Sequence, residues 1–113
     1  MLSIEGLKAF GADTDDGLSR CMGNKDFYFK LITKVIDDKS FDALETAIFA
    51  GDLDTAFEAA HSLKGVLGNL ALTPIYDPVF EMTEFLRARQ NVDYRPYLDK
   101  VSQKREELKT LIK

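Results

Sequence analysis

The sequence is poor in the residues that build metal centres and covalent cross-links. Its 113 residues include one His, one Cys and no Trp. A single Cys cannot form an internal disulfide, which is typical of proteins in a reducing compartment, and we expect a cytoplasmic protein. One His and one Cys also supply too few ligands for a Cys/His zinc site. Any chemistry that needs an imidazole must therefore use His61.

The charge balance and the apolar pattern exclude two further classes of protein. The chain has 15 Lys and Arg against 19 Asp and Glu, a net charge of −4, whereas a nucleic-acid-binding domain normally carries a basic patch. No apolar run reaches the roughly 18 residues of a membrane span, and the N-terminus lacks the basic and apolar segments of a signal peptide. We therefore expect neither a nucleic acid nor a membrane as a partner.

Length and periodicity predict one helical domain over residues 1–113. A chain of this length is too short for two independent cores, and its 45% of hydrophobic residues is ordinary for a globular protein. Apolar residues recur at three- and four-residue spacing, and short connections favour antiparallel neighbours. The expected fold is all-α: an antiparallel up-down four-helix bundle over residues 24–113. An N-terminal arm with one or two short helices would occupy residues 1–22, and we expect a monomer.

Capping signals give the expected helix limits. A short helix is expected over residues 15–22, ending at Gly23. The later helices are expected to run from Asn24 to about residue 38, from Ser40 to Gly51, from Asp52 to about residue 70, from Thr73 with Pro74 at its first position, and from Asp93 onward. Pro78 leaves one start open: the helix kinks there, or it begins there with Asp77 as its cap.

The helix after Asp52 carries the one histidine on its polar side. With about 100° per residue, five apolar residues fall on one side, which is the expected core face: Ala56, Ala60, Leu63, Leu67 and Leu70. His61 lies roughly opposite this face. Lys64, Gly65 and Gly68 lie within about 60° of His61. The spacing thus predicts an exposed imidazole with one cation and two glycines beside it.

The two glycines favour a docking surface beside His61. In a helix interior, Gly is less favourable than Ala by about 1 kcal/mol. Gly65 and Gly68 have a function if they let another molecule approach the imidazole closely. The alternative, tight helix–helix packing, requires the short N-terminal helix to cover this side of the histidine helix.

An exposed imidazole with these neighbours indicates phosphoryl chemistry. Ser62 points about 100° away from His61, so the two cannot form a nucleophile–base pair. Neither GxGxxG nor GxxxxGK(S/T) is present, so the chain has no known nucleotide-binding loop. What remains is a nucleophilic His61 that attacks a phosphoryl group supplied by another protein.

Residues 61–70, HSLKGVLGNL, resemble the HxLKGxxxNL-type signature of histidine-containing phosphotransfer (HPt) domains of bacterial two-component phosphorelays. Residues 22–28 are similar to the start of the family's second helix, and residues 51–53 to its turn before the histidine helix. The resemblance implies that His61 accepts a phosphoryl group from a receiver-domain aspartate and passes it to another receiver. It implies a phosphocarrier rather than an enzyme, with response-regulator receivers and a sensor or hybrid histidine kinase as partners. No cofactor or metal is expected in the chain, because the Mg²⁺ of the transfer belongs to the receiver.

The resemblance also assigns roles to residues around His61. Lys64 would stabilise the transferring phosphoryl oxygens, with Arg87, or less favourably Arg89, adding a second cation. The expected receiver-docking surface consists of Phe57, Gly65, Gly68 and Leu72.

The resemblance further implies a polar residue that orients the imidazole. The family often places a polar group 22 positions after the histidine, and here that position is Thr83, whose hydroxyl is short. Glu84 and Glu58 are the alternatives.

Two other interpretations stand beside the phosphocarrier. A docking module would bind a receiver through the same surface without accepting phosphoryl, although a binding module has no need of a nucleophile with its cation at Lys64. A purely structural bundle leaves both glycines unexplained. The sequence is compatible with a separate protein and with a segment of a hybrid kinase.

Overall fold

The computed structural model describes all 113 residues, which form seven α-helices and no strand. The helices are α1 (Ile4–Phe10), α2 (Thr14–Arg20), α3 (Lys25–Val35), α4 (Ser40–Phe49), α5 (Leu53–Asn69), α6 (Thr73–Arg87) and α7 (Arg95–Ile112). The expectation of an all-helical fold is confirmed, and the N-terminal region holds two short helices. None of the seven combines the length and the apolar character that crossing a bilayer requires.

The apolar stripes of the helices meet in one contiguous core. Consecutive helices pack from α4 to α7, while α1 contacts α7 and α2 contacts α3. The core face predicted for α5 is confirmed, because all five of its residues are buried: Ala56, Ala60, Leu63, Leu67 and Leu70. Since that face is buried, the opposite side of α5 is left toward solvent, and it carries His61.

Two of the predicted N-caps are confirmed by their hydrogen bonds. Asn24 accepts from the Phe27 backbone N–H at 3.0 Å. Asp52 accepts from the Thr55 backbone N–H at 3.1 Å and from the Thr55 hydroxyl at 2.7 Å. These bonds favour the ionised carboxylate and lower the pKa of Asp52, with the Thr55 hydroxyl as the largest cause. The start of α5 is thereby fixed two turns before His61.

Three other predicted caps are wrong by one residue. Ser40 and Thr73 are the first residues of α4 and α6, and the residues before them, Lys39 and Leu72, are the caps without a side-chain bond. The last helix is capped by Tyr94, although the carboxylate of Asp93 still accepts from the Arg95 N–H at 3.1 Å. An acidic side chain before the helix replaces the expected one at α4 as well, where Asp38 accepts from the Ser40 N–H at 2.8 Å.

The open question at Pro78 is decided in favour of one continuous helix. Helix α6 begins at Thr73, and Pro78 lies inside it with its ring buried. Pro78 has no N–H to donate to the carbonyl of Pro74, which costs a helical hydrogen bond. Burial of the prolyl ring on the same stripe as Ile75 and Val79 offsets part of that loss. Core packing, which the local sequence does not reveal, therefore holds the helix together across the proline.

Hydrogen bonds connect α2 and α3 to the end of α5, the helix that carries His61. The buried hydroxyl of Tyr28 on α3 donates to the carbonyl of Leu70 at 2.8 Å. The backbone N–H of Asp13 donates to the carbonyl of Ala71 at 3.0 Å. Gly17 on α2 lies directly against the Tyr28 hydroxyl and leaves no room for a Cβ there. These contacts fix where α5 ends and α6 turns back beside it.

Candidate functional site

His61 lies exposed on α5, on the side away from the core. Neither of the two residues expected to orient it from α6 bonds to its ring: Thr83 donates to Val79, and Glu84 accepts from Arg87. The remaining candidate, Glu58, is exposed and forms no hydrogen bond to the ring either. The imidazole is thus free of protein hydrogen bonds and accessible to another molecule.

Phe57 provides the closest aromatic neighbour of the imidazole. The two rings are stacked, with centroids 5.7 Å apart and planes 15° from parallel. Residues four apart lie on the same face of a helix, one turn from each other. Phe57 is half-buried. The predicted proximity of Phe57 to His61 is therefore observed, as a ring-on-ring contact.

Two guanidinium groups converge on the same phenyl ring. The Cζ atoms of Arg87 and Arg89 lie 5.2 Å and 5.3 Å from the centroid of Phe57. Arg89 also forms an ion pair with Asp54 at 2.7 Å, and Arg87 forms a longer one with Glu84 at 3.4 Å. Both arginines are exposed, so these ion pairs are weak and can exchange for another anion. The region beside His61 thus carries two cations.

Lys64, one turn after His61, extends toward α6. Its Nζ lies 5.6 Å from the centroid of the Phe80 ring, and Phe80 in turn stacks on Tyr76 at 5.9 Å. Phe80 is 40% exposed, which is high for a large apolar side chain. The pattern of α5 alone did not predict Phe80 and Tyr76 as part of this surface, because both lie on α6. Their spacing of four residues was the available signal.

The contacts between α5 and α6 follow an antiparallel register. Three contacts define the register: Phe57 with Arg87, Lys64 with Phe80, and Gly68 with Tyr76. The residue numbers rise along α5 as they fall along α6. The steps on the two helices are equal, so His61 is level with Thr83. The position that the family resemblance selects is therefore beside the histidine.

Thr83 nevertheless does not orient the imidazole. Its side chain is fully buried, and its hydroxyl donates to the carbonyl of Val79, one turn earlier on its own helix, at 2.7 Å. The prediction of a polar contact from Thr83 is wrong because the short side chain lies on the core side of α6. A longer side chain would be needed to reach across to α5.

The two glycines of α5 differ in what surrounds them. A Cβ added to Gly65 would meet no atom within 4 Å, so this position is open. A Cβ added to Gly68 would lie 3.1 Å from the ring of Tyr76. Close packing within the chain, the alternative to a docking surface, thus accounts for Gly68, although the contact comes from α6 and not from the short N-terminal helix. Of the two glycines, only Gly65 is not explained by packing within the chain.

Leu72 is not part of a docking surface. It is fully buried beneath the turn between α5 and α6, where its N–H donates to the carbonyl of Leu67 at 3.1 Å. The prediction of an exposed Leu72 is wrong because the turn folds the side chain into the core. Phe80 takes its place as the exposed apolar residue beside Lys64.

The titratable groups of the chain are dispersed. No group of three or more His, Cys, Asp or Glu side chains is arranged to hold a metal ion.

A polar groove beside Gly65 separates α2 from α5 and α6. Its lining includes Asp16, Arg20 and Lys64. Arg20 spans the groove by donating to Asn69 at 3.4 Å.

The site thus consists of an exposed imidazole on the outer side of a helical domain, with an open glycine one turn on and cations over the neighbouring phenyl rings. The family model of the Hpt domain matches residues 38–113, more than half of the chain, and the chain belongs to this family. No curated protein and no solved structure matched the chain. Membership implies phosphotransfer in two-component signalling, a carrier rather than an enzyme in the usual sense, and receiver domains and histidine kinases as partners. Residues 1–37 lie outside the matched region.

Proposed function

We propose that the chain is a phosphorelay intermediate in which His61 accepts a phosphoryl group from the aspartate of one receiver domain and passes it to another. The observation that carries the proposal is the exposure of His61, the one imidazole of the chain, within the region matched by the Hpt family. The neighbouring open position at Gly65 supports close approach of a second protein.

The transfer requires a neutral imidazole that keeps its proton on Nδ1. The lone pair of Nε2 forms the N–P bond while the P–O bond to the receiver aspartate breaks, and the aspartate leaves as a carboxylate with that electron pair. The reverse sequence at a second receiver regenerates neutral His61. No other residue of the chain changes its covalent state.

The cations near His61 would stabilise the phosphoryl oxygens during transfer. Lys64 rests over Phe80 at 5.6 Å, and such a contact at an exposed site is worth about 0.5–1 kcal/mol, so the ammonium can turn toward a phosphoryl group. Arg87 is held by a longer ion pair than Arg89, which favours it as the second cation.

The remaining parts of the proposal concern the partners and the setting. The receiver would dock over Gly65, with the exposed ring of Phe80 beside Lys64 as an apolar contact. The domain would need no cofactor of its own, because the receiver supplies the Mg²⁺. We propose a monomeric cytoplasmic domain with an antiparallel up-down four-helix bundle within residues 24–113, in which α4 to α7 pack consecutively.

Incubation with a phosphorylated receiver tests the proposal. We expect an acid-labile, base-stable label on the wild-type chain and none on His61→Gln. If a panel of candidate receivers binds the wild type but never labels it, the chain is a docking module. In that case His61→Ala would keep both binding and signalling output.

A further inference from the structure

We propose that Phe57 is a positioning residue of the phosphotransfer site, whose phenyl ring holds the imidazole of His61 and the guanidinium groups of Arg87 and Arg89 in one arrangement. The inference rests on the proposed function, because it assigns a role within the transfer by His61. It differs from the docking role of Phe57, in which the ring contacts the receiver.

The first support is what the His61 ring lacks. An exposed side chain without a hydrogen bond samples several rotamers, and a nucleophile loses rate when its reacting atom is misplaced. Thr83, level with His61 on α6, has its hydroxyl committed to Val79. Stacking on Phe57 therefore provides the restriction that a hydrogen bond would otherwise supply.

The second support is that the same phenyl ring carries both arginines. Their Cζ atoms lie at nearly equal distances from its centroid, 5.2 Å and 5.3 Å. The arginines come from the C-terminal end of α6 and the residues after it, so the register of the two helices brings them to Phe57. One aromatic ring thus contacts both the imidazole and two cations.

The phenyl ring of Phe57 is half-buried and is contacted by residues of the chain itself. A residue that serves only to bind a partner leaves its ring face free for that partner. Here the imidazole is stacked on the phenyl ring, and two guanidinium groups lie close to it. The contacts of Phe57 are therefore mainly internal, which fits positioning better than docking.

Three variants separate these roles. Phe57→Leu keeps the apolar volume and removes the aromatic face, whereas Phe57→Tyr keeps the face. Phe49→Leu makes the same Phe-to-Leu change at the end of α4, where Phe49 is 67% exposed. Circular dichroism establishes that each variant is folded.

Two phosphoryl donors give the decisive comparison: a phosphorylated receiver and phosphoramidate. Phosphoramidate needs no docking surface; its P–N bond breaks as Nε2 bonds to phosphorus, and the nitrogen leaves as ammonia after taking a proton from water. We expect Phe57→Leu to slow labelling about three- to tenfold with both donors. Phe57→Tyr and Phe49→Leu should both be labelled at the rate of the wild type. A slower rate with the receiver alone would overturn the inference and leave Phe57 as a docking residue.

A second readout does not depend on phosphorylation. Protons held over a phenyl face resonate upfield, so the ring protons of His61 should move toward their values in an unstructured peptide in Phe57→Leu but not in Phe57→Tyr. Unchanged resonances in Phe57→Leu would overturn the stacking and with it the inference. If the wild type itself takes no label from either donor, it is the proposed function that fails, whatever the resonances show.

Discussion

Gly65 and Gly68 are identical residues one turn apart on the same helix, yet they have different surroundings. Gly65 faces open space, and Gly68 lies against the ring of Tyr76. The helical wheel places both beside His61, but it carries no information about which residue of α6 crosses α5 at each level. The helix-destabilising cost of Gly65 has no compensation inside the chain, which is why we assign this position to a partner.

Alanine substitution should separate the two glycines by stability. We expect Gly65→Ala to raise the free energy of unfolding by about 0.5–1 kcal/mol, because the methyl group meets nothing and the helix gains propensity. Gly68→Ala should gain less or lose stability, because its methyl group would have to displace the Tyr76 ring. Urea denaturation measures both. Equal gains would contradict the packing role of Gly68.

A longer side chain at Gly65 should separate stability from transfer. Gln is a good helix former, so Gly65→Gln should keep the helical fold while its side chain occupies the approach to His61. We expect transfer from a phosphorylated receiver to slow by about tenfold, equivalent to about 1.4 kcal/mol. Time-resolved labelling measures it, with Gly65→Ala as the smaller control. Normal transfer by Gly65→Gln would show that no partner needs this space.

A substitution at Thr83 tests whether its hydroxyl, which donates to the carbonyl of Val79, has any part in orienting the imidazole. Thr83→Val removes the hydroxyl and keeps the shape, and the hydroxyl bonds only to the carbonyl of Val79, which belongs to the same helix. We expect the labelling rate of His61 to stay within about twofold of the wild type, less than the loss of one hydrogen bond to a reacting group. A larger loss, with the fold intact by circular dichroism, would restore Thr83 as the residue that orients the imidazole.

At the scale of the helices, the side chain that caps a start belongs either to the cap residue itself or to the residue before it. Asp52 and Asn24 cap their helices as the sequence predicts, whereas α4 and α7 use carboxylates one residue further out, Asp38 and Asp93. Each arrangement satisfies a free N–H at a helix start. Sequence patterns identify that a cap exists, but the turn before the helix decides which residue provides it.

The cap of the histidine helix should give stability a dependence on pH. The pKa of Asp52 is lowered in the folded chain, mainly by the Thr55 hydroxyl and then by the Thr55 N–H. Its contribution is therefore complete above the ordinary value of 3.8 and is lost as the pH falls through the lower folded pKa. Asp52→Asn keeps a capping oxygen without the charge, so the stability advantage of the wild type over Asp52→Asn should shrink in acid. Thermal melts from pH 7 to about pH 2 measure this, and a constant difference would contradict it.

At the scale of the whole molecule, residues outside the family match complete the core. Leu7, Tyr28 and Ile32 precede residue 38 and are fully buried. Tyr28 also bonds to the end of α5, and Arg105 on α7 donates to the carbonyl of Ile36 at 2.7 Å. The N-terminal helices thus stabilise the region that carries the site, although none of them contributes a residue next to His61.

Tyr28→Phe should reveal this connection. The change removes the donor to the Leu70 carbonyl, and we expect the free energy of unfolding to fall by about 1–2 kcal/mol, with an unchanged rate of labelling. Burial is the main reason that the pKa of Tyr28 rises from 10.0 to about 12. The unfolded chain therefore ionises first as the pH increases, and the wild type should lose stability between these values, a loss that Tyr28→Phe lacks. Guanidinium titrations at neutral and alkaline pH measure both effects.

The sequence alone determined what depends on neighbours along one helix. The all-helical fold, the core face of α5 and the exposure of His61 follow from a periodicity of 3.6 residues, which is a local property. The family signature also lies within one helix, and it selected His61, Lys64 and Gly65 in their observed positions. The part of the site that lies on α5 could therefore be placed without a structure.

Tertiary structure decided whatever required a second helix. The burial of Leu72, the direction of the Thr83 hydroxyl, the packing of Gly68 and the continuity of α6 through Pro78 all depend on how α6 lies against α5 and the core. The meeting of Arg87, Arg89 and Phe57 depends on the same register. A single sequence encodes that register only through the sum of many side-chain contacts, because van der Waals packing has no short-range signature along the chain.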